Sequence, residues 1–117
     1  MRQILEDHAT ALPGATMIVQ WGGAHVFKVG IGDKAKVFAI LGLQQDRITV
    51  KCQDVDTAAF LIEIGAAQRA KYLPRGGWIS FNLTETGLDE LCGRIETSYD
   101  TVRAGLTKAM RAQLPPR

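Results

Sequence analysis

The sequence contains little of the chemistry on which most enzymes and metal sites depend. Its 117 residues include only two histidines, two cysteines and two serines. The serines, Ser80 and Ser98, lie outside the G-x-S-x-G pattern of a nucleophile elbow. Neither histidine lies at a metal-ligand spacing from a cysteine. We therefore expect a protein without catalytic activity, bound metal or cofactor.

Paired cysteines and long apolar segments are also missing. Cys52 and Cys92 form no C-x-x-C pattern, and both fall at apolar positions, which predicts buried free thiols rather than a disulfide. The longest apolar run, at residues 37–43, is too short to cross a bilayer. The N-terminal residues lack the apolar segment of a signal peptide. These absences predict a cytoplasmic protein that does not enter a membrane.

The residues that are present predict one domain over residues 1–117, since a chain of 12.8 kDa with 46% apolar residues can bury a single core. Helical spacing predicts a first helix over residues 2–12. Runs rich in β-branched and aromatic residues, separated by turns that contain glycine, predict the strands 15–21, 25–30, 37–43 and 48–53. Asp54 is a suitable N-cap for a second helix that ends at Gly65.

The C-terminal half adds a strand and a long helix. Residues 78–83 alternate as a strand does, and a short strand could precede them. Thr86 can cap a final helix, whose apolar stripe consists of Leu88, Leu91, Cys92, Ile95, Tyr99, Val102, Leu106 and Met110. The order α-β-β-β-β-α-(β)-β-α predicts an α+β fold of two layers, an antiparallel sheet with its helices on one face. The open face would carry Thr49, Lys51, Gln53, Trp78, Ser80 and Asn82.

Positive charge is concentrated in two stretches, although the formal net charge is only +2. Residues 66–77 contain three basic residues and no acid, and residues 101–117 contain four basic residues and no acid. Stretches of this kind are where a polyanion could bind.

The segment 69–78, RAKYLPRGGW, combines such a stretch with two aromatic residues. It is either a solvated turn before a strand or, together with the 31–36 hairpin, one of two basic wings beside the open sheet face. In the second interpretation cations contact phosphates and aromatic rings stack on bases. The candidate nucleic-acid-binding residues are Lys34, Lys36, Lys51, Arg69, Lys71, Tyr72, Arg75 and Trp78. Trp21, by contrast, is expected to close one end of the core.

Several spaced motifs resemble the MmcQ/YjbR-like family of small bacterial proteins. They are ALPGA, HVFKVG followed by KVFAIL, ITVKC, KYLPRGGWISFNL and SYDTVRAGL, and together they span roughly residues 1–110. The resemblance implies a compact α+β domain with a double-wing fold, likened to secretion chaperones, and a DNA-binding role. Lys51 and Trp78 match the family pattern. Leu73 and Gly77 stand where the family usually has histidines, and Arg75 stands in the place of a basic residue between them.

The resulting hypothesis is a monomeric DNA-binding protein with weak sequence preference. One alternative is a protein-interaction or chaperone-like module that receives a peptide or a partner on the open sheet face. Another is a small-molecule site at the loop from Tyr72 to Trp78, which would bind an anion through Lys71 and Arg75. A contiguous apolar surface patch would favour a protein partner, whereas a continuous positive strip from Lys34 to Arg75 would favour nucleic acid.

Overall fold

The computed structural model describes residues 1–42, 46–73 and 75–117, and its elements follow the predicted order. Two parts of the predictions, the end of the third strand at residue 43 and Pro74 of the 69–78 segment, lie outside these residues. The elements are α1 (Arg2–Thr10), β1 (Ala15–Gln20), β2 (Ala24–Val29), β3 (Lys36–Leu41), β4 (Arg47–Lys51), α2 (Val55–Glu63), β5 (Gln68–Arg69), β6 (Trp78–Asn82), α3 (Leu88–Ala104) and α4 (Lys108–Gln113). A short 3-10 turn at Gly32–Lys34 joins β2 to β3.

The strands of the described residues form one antiparallel sheet in the order β1-β2-β3-β4-β6-β5. Thr49 of β4 lies opposite Ile40 on one side and Ser80 on the other, so these three side chains share a face. The opposite face, which carries Ile48, Val50 and the other inward residues of the sheet, is covered by the helices. The predicted α+β fold, with an antiparallel sheet and helices on one face, is confirmed.

The core between the sheet and the helices is built from large side chains of both layers. Those at most 1% exposed include Leu5, Phe27, Phe38, Ile48, Ile79, Phe81, Leu91, Ile95 and Tyr99. The rings of Phe38 and Tyr99 meet edge to face, with centroids 5.4 Å apart. The Tyr99 hydroxyl donates to the carbonyl of Pro13 and accepts from Arg103 Nη1 at 2.7 Å. The expectation that Tyr99 is a core residue whose hydroxyl reaches a partner at the rim is therefore correct.

A β-bulge lies at Phe38. Phe27 pairs with Ala39 and Lys28 with Val37, so Phe38 is an extra residue in β3. Both Phe38 and Ala39 are fully buried.

Ser98 of α3 reaches the backbone beside this bulge. Its hydroxyl donates to the carbonyl of Phe38 at 2.5 Å and accepts from the backbone N–H of Lys51 at 2.8 Å. The paired residues of β3 and β4 run only from Ala39 with Val50 to Leu41 with Ile48. Ser98 therefore connects the two strands where their own pairing ends.

The prediction of one uninterrupted final helix is wrong. The helix begins after Gly87 rather than at a Thr86 cap, and α3 ends at Ala104, before Gly105. Thr107 then caps α4, since its hydroxyl accepts from the backbone N–H of Met110 at 3.1 Å. Leu106, between the two helices, is buried. The apolar stripe thus continues across a break in the helix.

The predicted cap of α2 is confirmed. The Asp54 carboxylate accepts from the backbone N–H of Thr57 at 2.6 Å, and this hydrogen bond lowers the pKa of Asp54. Both cysteines are free: Cys52 is 2% exposed, and Cys92 is half-buried against the core. Burial raises the pKa of both thiols. Within the described ranges, the helices are too short or too polar to cross a membrane.

Candidate functional site

The basic residues at the C-terminal end are largely used inside the protein. Arg117 Nε donates to Asp100 Oδ1 at 2.7 Å, and its Nη2 donates to Glu96 Oε1 at 3.0 Å. The hydrogen bond from Arg117 is the main reason that the pKa of Glu96 lies below its usual value. Arg103 and Arg111 donate to the backbone carbonyls of Pro115 and Ala104. The acid-free stretch at residues 101–117 is therefore mostly committed to intramolecular bonds.

The basic side chains of the sheet and its loops form no such bonds with the described residues. Residues 28–82 contain eight basic and five acidic residues, a net charge of +3, whereas residues 83–117 contain five of each. None of the eight basic side chains forms a hydrogen bond or an ion pair with the part of the chain that the structure describes. They are Lys28, Lys34, Lys36, Arg47, Lys51, Arg69, Lys71 and Arg75. Unpartnered cations are thus concentrated away from α3 and α4.

A cleft of about 1070 Å³ lies on the open face of the sheet. The strands contribute Ala24, Ile40, Arg47, Thr49, Arg69 and Ser80 to its lining. The other lining residues lie in connections between elements: Trp21 and Gly22 in the β1–β2 turn, Gly42 after β3, Asp46 before β4, and Ala70 to Leu73 after β5. Three of these residues are basic and one is acidic. The cleft therefore joins an apolar and hydroxyl-bearing surface to a positively charged rim.

Trp21 is exposed, and the expectation that it closes the core is wrong. The turn Trp21–Gly22–Gly23 connects β1 to β2, and its three residues have φ angles of 51°, 76° and 101°. A side chain in this left-handed region costs about 1 kcal/mol or more, and only glycine avoids the cost. The indole is nevertheless held there, 64% exposed, in the lining of the cleft. The positive φ and the exposure of its indole make Trp21 a candidate functional residue.

The segment from Ala70 to Leu73 forms another part of the cleft lining. Tyr72 is 82% exposed, and Lys71 Nζ lies 5.4 Å from the centre of its ring, within the range of a cation–π contact. Ser80 is only 6% exposed, so the face expected to be fully open is partly covered at this point. Tyr72 and Lys71 together place an aromatic surface next to a positive charge.

A second, smaller pocket of about 340 Å³ lies where the ends of β3, β4 and β6 approach the last turn of α3. Its lining contains Lys36, Val37, Lys51, Trp78, Thr101, Val102 and Gly105. Gly76, with a φ of 79°, lies next to two residues of this pocket. A Cβ at Gly76 would lie 3.7 Å from Lys51 Nζ and 3.8 Å from Trp78 Cδ1. Lys36 and Lys51 share this pocket with residues at the C-terminal end of α3. Cations are stabilised at such a helix end by the helix dipole.

The eight residues predicted from the sequence are divided between these places. The cleft contains Arg69, Lys71 and Tyr72, and the smaller pocket contains Lys36, Lys51 and Trp78. Lys34 and Arg75 are exposed and line neither. The structure thus divides the eight residues between two pockets and the surface outside them.

Two cleft residues, Trp21 and Arg47, were not among the predicted site residues. The available signal for Trp21 was the sequence W-G-G between two predicted strands. This sequence predicts a tight turn, and a tryptophan within a turn lies outside the sheet. Arg47 gave no local signal, since it reaches the cleft only through the pairing of β4 with β6 opposite Asn82.

Each of the two histidines contacts a glutamate, and these contacts connect α1 to β2 and to α3. His25 Nδ1 on β2 pairs with Glu6 of α1, and His8 Nε2 of α1 pairs with Glu96 Oε2 of α3 at 2.9 Å. Over residues 1–42, 46–73 and 75–117, no three His, Cys, Asp or Glu side chains come together as metal ligands would.

These features define a class: a small α+β domain whose helices cover one face of an antiparallel sheet and whose other face bears a basic, aromatic cleft. The chain belongs to the YjbR family, because the family model described as YjbR matches residues 10–101. The resemblance inferred from the sequence motifs is confirmed.

A solved structure agrees with this assignment at the level of the fold. The crystal structure of the Deinococcus radiodurans protein DR2400, described by the domain DUF419, is similar with a TM-score of 0.84 and 22% sequence identity. The similarity covers 97% of this chain and 86% of that chain. A search among curated proteins finds no significant match.

Proposed function

We propose that the protein binds nucleic acid through the open face of its sheet, with weak sequence preference and without catalysis. The observation that carries this proposal is the difference in bonding between the basic side chains of two regions of the protein. Those of α3, α4 and the C-terminal end mostly have hydrogen-bond or ion-pair partners, whereas those that line the cleft and the smaller pocket have no such partner among the described residues. Nucleic-acid phosphates are strong acceptors that would supply the missing partners.

The composition of the cleft supports binding that is mainly electrostatic. Arg47, Arg69 and Lys71 face one acidic residue, Asp46. Contacts of this type position a backbone but do not read its sequence. We expect dissociation constants on the order of 10⁻⁴ to 10⁻⁶ M at physiological salt, with affinity falling steeply as salt rises.

The test is a fluorescence-anisotropy titration of labelled duplex and single-stranded DNA at several salt concentrations. Replacing Arg69 and Lys71 together by alanine should lower the slope of log K against log [salt] by about 1.4 for a single strand and about 1.8 for a duplex, since each phosphate contact contributes roughly 0.7 or 0.9. Lys36→Ala with Lys51→Ala tests the smaller pocket in the same way.

The matched control is Lys108→Ala, an exposed cation on α4 that lines neither pocket. It should leave the slope unchanged. Absence of binding by the parent protein at low salt, where electrostatic contacts are strongest, would refute the proposal.

A protein partner is the second candidate, and a different surface favours it. On α2 and its C-cap, Val55, Phe60 and Ile64 are 61%, 58% and 57% exposed. Phe60 and Ile64 are four residues apart and so lie on the same side of the helix. Exposed apolar residues that lie together are typical of an interaction site. If Phe60→Ser abolished binding to an isolated protein partner without changing DNA affinity, this candidate would gain support.

A further inference from the structure

We propose that the cleft holds unpaired nucleotides, with Trp21 and Tyr72 as the surfaces on which their bases stack. This inference rests on the proposed function and specifies its ligand as single-stranded rather than duplex nucleic acid. It also identifies Trp21, which lies outside the two predicted basic wings, as the main aromatic contact.

The first argument is the position of Trp21. Glycine would suit the left-handed φ of 51° better than any side chain, and a tryptophan that is 64% exposed buries little apolar surface for the fold. The turn therefore presents a flat aromatic ring to the cleft at a cost to the folded state. A base that stacked on this ring would remove its exposed surface from water.

The second argument is the pairing of aromatic and basic side chains along the cleft. Tyr72 is 82% exposed, Lys71 lies beside its ring, and Arg47 and Arg69 line the same cleft. Proteins that bind single strands combine aromatic platforms for bases with cations along the phosphate backbone. The arrangement of this cleft is of that kind, with ring and charge adjacent.

The third argument is the character of the strand residues that line the cleft. Ala24 and Ile40 are apolar, and the hydroxyls of Thr49 and Ser80 are uncharged and form no side-chain hydrogen bond with the described residues. Such a surface suits the body and edge of a base better than a phosphate. In a duplex the faces of the bases are already stacked on one another, so the rings of Trp21 and Tyr72 could reach them only after unpairing.

The experiment uses the two tryptophans as separate reporters. In Trp78→Phe the remaining indole is Trp21, and in Trp21→Phe it is Trp78. Both variants are titrated with an oligothymidylate and with a DNA duplex of the same length at low salt. We expect the oligothymidylate to quench the fluorescence of Trp21 strongly and that of Trp78 weakly, and the duplex to quench neither strongly.

A second variant removes the ring without disturbing the turn. Trp21→Gly suits the positive φ, so its thermal midpoint should be equal to or higher than that of the parent. Its affinity for the oligothymidylate should nevertheless fall roughly 5- to 150-fold, the effect of losing one stacked base. Its affinity for the duplex should stay within about twofold, because the phosphate contacts remain. Trp21→Tyr, which keeps a ring, should retain most of the single-strand affinity.

Four results would overturn this inference. Equal losses for single strand and duplex in Trp21→Gly, or binding without quenching of Trp21, would remove the stacking role while nucleic-acid binding itself stood. Polyglutamate that bound as tightly as the oligothymidylate and quenched Trp21 as strongly would make the cleft a site for acidic protein segments. No binding of either DNA by the parent would refute the proposed function, and this inference with it.

Discussion

Replacing Ser98 by alanine should destabilise the protein through two backbone groups that lie far apart in the sequence. The Ser98 side chain is fully buried, and its hydroxyl satisfies both the carbonyl of Phe38 and the N–H of Lys51. Leaving one buried donor or acceptor without a partner costs about 1 to 3 kcal/mol. Two such groups would together cost about 2 to 6 kcal/mol. Because the carbonyl and the N–H can move partway towards each other, we expect the free energy of unfolding to fall by about 2 to 4 kcal/mol.

The assay is urea unfolding followed by circular dichroism, with the slope of the free energy against urea compared between variants. Thr101→Ala is the matched control on the same helix, since the Thr101 hydroxyl donates to the Thr97 carbonyl one turn earlier and thus bonds within α3. It should change the free energy of unfolding by no more than about 0.5 kcal/mol. An equally small change in Ser98→Ala would show that the hydroxyl does not hold β3 and β4 together.

Two further predictions concern the core and the thiols. Ile95→Ala should lower the free energy of unfolding by about 2 to 5 kcal/mol in urea, because Ile95 is fully buried between α3 and the sheet; a change within experimental error would contradict that packing. Under native conditions a thiol reagent should label Cys92 slowly and Cys52 more slowly still, since Cys52 is 2% exposed and burial raises the pKa of both thiols. Rapid stoichiometric labelling of both would contradict this assignment.

Most of the fold could be predicted from the sequence because the signals that define it are local. Alternation of apolar residues defined β4 and β6, the Asp54 cap marked the start of α2, and glycines marked the hairpin turns. The break between α3 and α4 was missed because the apolar stripe continues through it. Gly105 and Thr107 were the available signals for that break, a weak helix former followed by a cap.

The candidate site was less predictable, because it depends on which strands are neighbours. Lys51 and Trp78 are adjacent only through the pairing of β4 with β6. The segment 69–78 contributes residues to two separate pockets, which no pattern within the segment indicates. The basic C-terminal stretch was expected to be available to a polyanion, but its bonds, such as that of Arg117 to Glu96, join residues distant in the chain.

The bulge at Phe38 affects how the length of this chain can vary during evolution. Loss of one residue from β3 at the bulge would leave Val37 opposite Lys28 but would remove one of two consecutive buried side chains, Phe38 and Ala39, from the core. The hairpin tip between Ile31 and Ala35 is largely exposed and outside the strands, so added residues there would lengthen a loop without shifting the register. Insertions and deletions among related chains should therefore accumulate in the tip and be rare in β3.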